Sequence, residues 1–227
     1  MYWLTDRLVF PPVEAAEEWG GLAVGGDLSP ERLLLAYRSG IFPWYDTGQP
    51  IIWHAPDPRF VLFPDQLHVS RRMRPVLNKS PFAITYDTQF RDVVRLCQRV
   101  PRPGQSGTWI TEEMQAAYYR LHVLGYAHSV EVWENSRLVG GLYGLVLGSI
   151  FFGESMFSLA NNASKIGFIT LVRRLREHGS TLIDCQVHTP HLERWGAKNI
   201  ARSRYMSKLA DGLARPTCWP AQDSKSK

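Results

Sequence analysis

The feature that most restricts the fold of this chain is the apolar segment at residues 182–187, which contains a carboxylate and an amide. Leucine, two β-branched residues and a cysteine make this segment typical of a buried strand. Because side chains alternate along a strand, Asp184 and Gln186 are predicted to lie on the same face. A buried carboxylate is costly unless a partner compensates its charge. The segment therefore predicts either a functional site or a structural hydrogen-bond network, and both interpretations remain open here.

A second apolar segment, at residues 150–157, contains another carboxylate, Glu154. It also has the composition of a strand, so the same two interpretations apply. Two carboxylates on predicted strands make a functional site between them a hypothesis to test against the structure.

Composition restricts the class of protein more than its activity. The chain has 227 residues, of which 44% are hydrophobic and 21% charged, which is typical of a globular protein. The net charge of +5 permits nucleic acid as a partner but does not require it. The three cysteines form no paired motif, so neither a zinc site nor a disulfide framework is expected, and a cytoplasmic location fits. The sequence predicts no signal peptide and no transmembrane helix.

The local patterns predict three regions: an N-terminal domain at 1–60, a catalytic domain at 61–214 and a loosely ordered tail at 215–227. In the first, Ser29 and Pro30 begin a helix. In the second, three meander strands at 129–157 are followed by a helix at 165–178, the strand at 182–187, a short helix and a last strand near 200–206.

These patterns predict an α+β protein, with a small α/β domain before a mixed-sheet domain. The mixed-sheet domain resembles the acetyltransferase-like fold known as GNAT. That fold binds coenzyme A at a glycine-containing loop, whereas residues 158–165 contain no glycine. A coenzyme A pyrophosphate would lack its backbone cradle there, so a different acyl donor is predicted.

Two further features have open interpretations. A basic segment comprises Arg71, Arg72, Arg74 and Lys79, which either forms a solvated helix face or contacts nucleic acid. Trp44 lies in an aromatic, proline-containing loop. Its side chain either packs between domains or stacks on a ligand.

Eight short motifs lie along the chain at 25–28, 40–44, 107–111, 127–133, 140–144, 152–158, 162–165 and 182–186. Together, and in this order, they resemble the leucyl/phenylalanyl-tRNA–protein transferase family. The resemblance implies transfer of Leu or Phe, with Met as a further candidate, from aminoacyl-tRNA to the N-terminal Arg or Lys of a protein. The product would carry an N-degron that directs protein degradation. No metal, cofactor or membrane is implied, and a monomer is expected.

The resemblance also implies which residues form the site. The catalytic candidates are Asp184, Gln186 and Glu154, with Gln186 contacting the attacking amine and Asp184 polarising it, while Glu154 either joins them or attracts the cationic acceptor. The candidates for aminoacyl-adenosine binding are Tyr37, Trp44 and Trp109, together with a pocket formed by Leu142, Phe168, Leu171 and Ile183. The basic segment is implied to contact phosphates of the tRNA acceptor stem.

Other readings are also considered. One is an N-acetyltransferase that uses acetyl-CoA, and another is an RNA-binding module without catalysis. A metal site at His188 and His191 is not expected, because the two histidines are three positions apart across a proline and the sequence offers no third ligand of defined geometry. Cys185 could act as a nucleophile, but strand alternation predicts that it points away from Asp184 into the core.

Overall fold

The computed structural model describes residues 1–100 and 109–220, and the fold contains two sheets. The smaller sheet has the strand order β1-β2-β4-β3. Its strands are β1 (Tyr2–Leu4), β2 (Gly21–Gly25), β3 (Phe42–Pro43) and β4 (Ile52–His54). β1 and β2 are parallel, and the other pairs are antiparallel.

The larger sheet has seven strands in the order β11-β5-β10-β9-β8-β7-β6. Its strands are β5 (Arg59–Leu62), β6 (Ala83–Tyr86), β7 (Ala127–Glu134), β8 (Arg137–Leu147), β9 (Ile150–Ser158), β10 (Leu182–Gln186) and β11 (Lys198–Ile200). The pair β9 and β10 is parallel, whereas the other neighbours are antiparallel. The predicted α+β fold with a mixed sheet is therefore confirmed.

Helices cover the two sheets and connect their strands. They are α1 (Pro30–Arg38), α2 (Met73–Asn78), α3 (Phe90–Arg99), α4 (Glu112–Val123), α5 (Ala163–Glu177), α6 (Pro190–Glu193) and α7 (Arg202–Leu213). The Ser29 side chain accepts a hydrogen bond from the Arg32 backbone N–H, which caps α1 as predicted. One hydrophobic cluster contains Leu22 and Trp53 of the smaller sheet together with Leu145 and Phe152 of the larger sheet, so the two sheets share a core.

The predicted meander is confirmed as β7, β8 and β9. The turn between β7 and β8 consists of Asn135 and Ser136, whose φ angles are both positive, at 49° and 60°. A two-residue hairpin turn with two positive φ angles follows the right-handed twist of its strands. After the meander, α5 crosses the sheet and returns the chain to β10, in parallel with β9, which is the connection predicted for an acetyltransferase-like domain.

The sheet divides where β9 and β10 separate. Their register pairs Leu182 with Ile150 and ends at Asp184 with Phe152. Beyond that pair β9 continues to Ser158 beside β8, while β10 turns away through Gln186. The divergence opens a gap in the middle of the larger sheet, directly after the last paired position.

Two sequence-based expectations near the C-terminus differ from the structure. The strand predicted near 200–206 is instead β11 followed by α7, because Tyr205, Leu209 and Gly212 recur at helical spacing and face the core. In the predicted loose tail, Cys218 and Trp219 are buried, and the Trp219 indole N–H donates to the Asp87 carboxylate at 2.8 Å.

Residues 221–227 of that predicted tail lie outside the described residues, as do positions 107 and 108 of the motif at 107–111. Within residues 1–100 and 109–220, no helix combines the length and apolar character needed to cross a bilayer.

Candidate active site

A cavity of about 540 Å³ occupies the gap between β9 and β10. Gly153, Glu154 and Met156 line it from β9, and Cys185 and Gln186 line it from β10. All five follow the last paired position of the two strands. The cavity is therefore a direct result of the strand divergence, and it brings Glu154 and Gln186 together across 32 positions of sequence.

Glu154 is held by three donors at the inner end of this cavity. The Tyr37 hydroxyl donates to its Oε1 at 2.7 Å, and the Tyr118 hydroxyl donates to its Oε2 at 2.9 Å. The Gln186 amide donates from Nε2 to Oε1 at 3.0 Å. The two tyrosine hydroxyls also contact each other. Both hydroxyls are fully buried, so the carboxylate rests on a rigid base of aromatic side chains.

Proton counting shows which form of Glu154 completes this arrangement. Glu154, Tyr37 and Tyr118 form a triangle of three oxygen–oxygen contacts, each of which needs one proton. Two phenols supply two protons. When both tyrosines donate to an ionised Glu154, the contact between the two hydroxyls has no proton. A proton on the carboxyl allows Glu154 to donate to Tyr118 and Tyr118 to donate to Tyr37, so the triangle favours the neutral acid.

The electrostatic environment of Glu154 leads to the same result. Burial raises the pKa of Glu154 to about 7, against the opposing effect of the hydrogen bonds from Tyr37 and Tyr118, and the negative charge of Asp184 adds to the increase. A carboxyl group with this pKa can both accept and return a proton near neutral pH, which is the property required of a general acid or base.

Gln186 is positioned by an unusual backbone conformation. Its φ angle is +64°, and the register of β10 against β5 shifts between Asp184 and Gln186. The Gln186 backbone N–H donates to Asp184 Oδ1 at 2.9 Å. A left-handed conformation of a residue other than glycine requires support from its surroundings, and here this hydrogen bond provides it.

Asp184 itself does not line the cavity. It is fully buried, and its two oxygens accept four hydrogen bonds. Arg59 donates from Nε to Oδ1 at 2.9 Å and from Nη2 to Oδ2 at 2.7 Å, and the Tyr205 hydroxyl donates to Oδ2 at 2.8 Å. The fourth donor is the Gln186 backbone N–H. The structure thus places Asp184 next to the cavity, but these four donors occupy its carboxylate, which does not reach the cavity surface.

The aromatic candidates lie at two depths. Trp44 and Trp109 line the cavity, and the Trp44 side chain is 39% exposed. Tyr37 does not line it and is buried behind Glu154. Trp44 also packs at a tilt against the His54 ring, 5.7 Å between centroids, and its carbonyl oxygen lies 2.9 Å from His54 Nε2. The platform predicted from the aromatic loop is therefore held in place.

Three of the four predicted apolar residues line the cavity: Leu142, Phe168 and Ile183. Leu171 does not line it. It is fully buried in the core one turn further along the same face of α5, beyond the end of the cavity. The sequence also missed Phe151, Met156 and Cys185, which line the apolar part, and Tyr118, which holds Glu154.

Cys185 was expected to point away from Asp184 into the core, but the structure places it on the lining of the cavity. Burial, with the negative charge of Asp184, raises the pKa of the Cys185 thiol well above its usual range. Because the thiolate is the nucleophilic form, this thiol serves as a small apolar wall of the cavity.

The basic segment lies apart from the cavity lining. Arg71 and Arg72 precede α2, Arg74 lies in its first turn, and Lys79 follows its end, and all four are exposed. In the described part of the chain, none of them has a carboxylate within ion-pair distance. Met73 of α2 packs in the same cluster as Leu142, Phe168 and Ile183, so this basic surface lies on the side of the apolar cavity wall.

Two family models match the chain. The model described as leucyl/phenylalanyl-tRNA protein transferase matches residues 61–210, which is more than half of the chain. The model for the N-terminal domain of the same family matches residues 26–57. The chain belongs to the leucyl/phenylalanyl-tRNA–protein transferase family.

Relatives of this family match nearly the whole chain. A leucyl/phenylalanyl-tRNA–protein transferase of Myxococcus xanthus (strain DK1622) is 56% identical over 219 residues, covering 96% of this chain and 94% of that protein. The one of Syntrophus aciditrophicus (strain SB) is 58% identical over 210 residues, covering 92% and 88%. Membership of the leucyl/phenylalanyl-tRNA–protein transferase family makes the chain an aminoacyltransferase, with an aminoacyl-tRNA and a protein as substrates.

Solved structures that align with this member of the leucyl/phenylalanyl-tRNA–protein transferase family include FemX, at a TM-score of 0.47 and 12% identity, covering 76% of this chain and 66% of that one. A GCN5-related N-acetyltransferase from Kribbella flavida aligns at a TM-score of 0.36 and 9% identity, covering 76% and 61%.

Proposed function

We propose that this aminoacyltransferase moves Leu or Phe, with Met as a further donor candidate, from aminoacyl-tRNA to the N-terminal Arg or Lys of a protein. The observation that carries this proposal is the pairing of Glu154 and Gln186 beside an apolar cavity flanked by two tryptophans. An aminoacyl-adenosine has three parts: an aromatic base, an ester and an apolar side chain. The cavity offers a separate environment for each of them.

The donor is placed by its two apolar parts. The terminal adenine stacks on Trp44 and Trp109, since bases of single-stranded ends bind to aromatic faces. The amino-acid side chain enters the part lined by Leu142, Phe168 and Ile183. The ester carbonyl then lies beside Glu154 and Gln186, between the tryptophans and the apolar end of the cavity.

The reaction needs one proton acceptor and no external electron source. The neutral α-amine of the acceptor attacks the ester carbonyl carbon, a C–N bond forms, and the C–O bond to the ribose breaks. Glu154 accepts the proton that leaves the nitrogen and returns it to the ribose oxygen, so no net proton is consumed. Gln186 orients the amine through its side-chain amide. Holding amine and ester together supplies much of the remaining acceleration.

Glu154 also fits a cationic acceptor. Among the cavity-lining residues of the described chain it is the only carboxylate. Its negative charge when ionised favours the approach of an N-terminal Arg or Lys, whereas the rest of the lining is mostly apolar or neutral. Asp184 acts indirectly, by holding the backbone of Gln186.

The test of the proposed function is a transfer assay. The protein is incubated with leucyl-tRNA labelled in the amino acid, and with peptides that begin with Arg, Lys or Ala. Label should appear at the N-terminus of the Arg and Lys peptides and not on the Ala peptide. Absence of label from all three, with an active relative as positive control, would refute the proposal. Equal labelling of the Ala peptide would refute the acceptor preference.

Replacing Trp44 or Trp109 with alanine is expected to raise KM for aminoacyl-tRNA by about 10- to 100-fold, because base stacking contributes about 1–3 kcal/mol per base. The matched control is Trp3→Ala, since Trp3 is 77% exposed and does not line the cavity. Steady-state kinetics with varied aminoacyl-tRNA measure the effect. Equal KM values for all three variants would show that the two tryptophans do not hold the adenosine.

The double variant Arg71→Ala with Arg72→Ala should weaken tRNA binding and flatten its salt dependence, because each lost phosphate contact reduces the slope by about one. A control of equal charge change is Arg173→Ala with Arg176→Ala, both exposed on α5. Binding is measured by fluorescence anisotropy between low and moderate salt. If the two double variants have the same slope, the basic segment does not contact the tRNA.

Four further proposals complete this function. A domain boundary near residue 60 is supported by separate family matches to 26–57 and 61–210.

The enzyme acts as a monomer, because one chain supplies every group named above. It works in the cytoplasm, where aminoacyl-tRNA is available. Its products are N-degrons, since they display a new apolar N-terminal residue for recognition by degradation machinery.

A further inference from the structure

Arg59 is a fully buried cation that contacts three separate parts of the chain. Its Nε and Nη2 donate to both oxygens of Asp184, and its Nη1 donates to the Gly40 carbonyl oxygen at 3.1 Å. The guanidinium also lies between two rings, 4.7 Å from the centroid of Phe42 and 4.6 Å from that of Tyr205. The side chain therefore joins β10, the segment from Gly40 to Phe42, and α7.

The Arg59 guanidinium stays protonated in its buried position. Burial alone would lower the pKa of the guanidinium, but Asp184 and Tyr205 raise it above its usual value. A bidentate guanidinium–carboxylate pair fixes the angle as well as the distance between its partners. The pair thus determines where Asp184 Oδ1 lies, and that oxygen accepts the backbone N–H of Gln186.

The second contact of Arg59 leads to the opposite wall of the cavity. Gly40, whose carbonyl accepts from Nη1, has a φ angle of +74° and is followed after one residue by Phe42 and Pro43 of β3. Phe42, Pro43 and Trp44 all line the cavity. The segment that carries the Trp44 platform is therefore attached to the same guanidinium as the strand that carries Gln186.

We infer that Arg59, assisted by the Tyr205 hydroxyl, is a positioning residue that fixes the donor-holding segment and the amine-holding strand relative to each other. The inference rests on the proposed function, because it assigns the donor to Trp44 and the amine to Gln186. Neither Arg59 nor Tyr205 lines the cavity, so both act through other residues. A displacement of about 1 Å between reacting groups can cost about 10²-fold in rate, which makes such a connection consequential.

Two variants separate positioning from simple stabilisation. Tyr205→Phe keeps the ring over Arg59 and removes the hydroxyl, which donates to Asp184 Oδ2 at 2.8 Å and accepts from Arg59 Nη2 at 3.4 Å. Arg59→Lys keeps the charge but loses the fork and the stacking between rings. The matched control is Tyr86→Phe, in which a tyrosine ring lies 4.3 Å from the Arg174 guanidinium, outside the cavity.

The experiment measures kcat and KM for both substrates at a temperature where circular dichroism shows that each variant is folded. The melting temperature of each variant is measured separately. Tyr205→Phe should lower kcat by about 10-fold, less than the loss of the whole fork, because Arg59 still holds both oxygens of Asp184. Arg59→Lys should lower kcat by about 10²-fold and also raise KM for aminoacyl-tRNA. Tyr86→Phe should leave all three kinetic constants unchanged.

Wild-type kcat and KM in folded Tyr205→Phe would overturn the inference, whatever its melting temperature. If Arg59→Lys does not fold, Tyr205→Phe alone decides, because it removes a single hydroxyl. Failure of the proposed function is distinguishable, since the wild-type protein itself would then transfer nothing.

Discussion

Replacing Glu154 with glutamine is expected to reduce transfer by about 10²- to 10⁴-fold, the usual contribution of a general acid or base. Glutamine has the same shape and can still bond to Tyr37 and Tyr118, so the cavity should remain intact. It cannot accept the proton released from the attacking amine. Single-turnover transfer at saturating aminoacyl-tRNA measures the loss directly.

The matched control is Glu131→Gln. Glu131 is also a buried carboxylate, with hydrogen bonds from Thr85, Thr88 and Ser129, but it lies outside the cavity. This variant should lose stability and keep kcat. If Glu154→Gln transfers as fast as the wild-type protein, Glu154 does not handle the proton.

The raised pKa of Glu154 also determines the sign of a stability effect. A folded-state pKa of about 7, compared with an ordinary value of 4.5, means that the neutral acid is favoured by folding. This contribution is fully present below pH 4.5 and is lost as the pH rises through 7, and it amounts to about 3 kcal/mol. At pH 8 Glu154→Gln should therefore unfold at a higher temperature than the wild-type protein, whereas at pH 4 the difference should vanish. A lower melting temperature at pH 8 would contradict the assigned pKa.

The second large effect concerns stability, at Asp184. Asp184→Ala should destabilise the fold by about 3–5 kcal/mol, because it leaves the Arg59 guanidinium buried without a counter-charge. Transfer should also fall, since Gln186 loses the acceptor of its backbone N–H. Equilibrium denaturation in urea measures the free energy of unfolding.

The control for Asp184→Ala is Asp92→Ala. Asp92 pairs with Arg95 at 2.6 Å, but both side chains are exposed, at 39% and 51%. Exposed pairs contribute about 0–1 kcal/mol, so this variant should be nearly neutral. Similar losses in the two variants would mean that the Arg59–Asp184 pair is replaceable. Unchanged tRNA binding by folded Asp184→Ala would in turn confine the role of Asp184 to the amine side of the site.

Much of the fold was predictable because its signals are local. The strand at 182–187, the meander and the helix at 165–178 follow from apolar periodicity, and the helix at α1 follows from the cap at Ser29. The last strand near 200–206 was wrong because a few apolar residues fit both periods. Only the continuation to Leu209 and Gly212 distinguishes a helix from a strand.

The site was predictable only in part, because its partners are distant in sequence. Asp184 and its ion-pair partner Arg59 are 125 positions apart, and no local pattern connects them. The sequence indicated that the carboxylate needs a partner but could not identify that partner or show that the pairing removes Asp184 from the cavity. Likewise, Leu171 and Phe168 share a helix, and only packing against the sheet determines which of them reaches the cavity.

The divergence of β9 and β10 has a consequence for selectivity. The part of the cavity between β9 and β10 is continuous with a hydrogen-bonded pair of strands, so the width of that part is set by backbone geometry rather than by loops that adjust to their ligand. A cavity of this kind requires little reorganisation when the donor enters, and it discriminates between side chains by volume and branching. Substrate range in this enzyme should therefore change through single wall residues such as Cys185 or Met156, and not through changes in loop length.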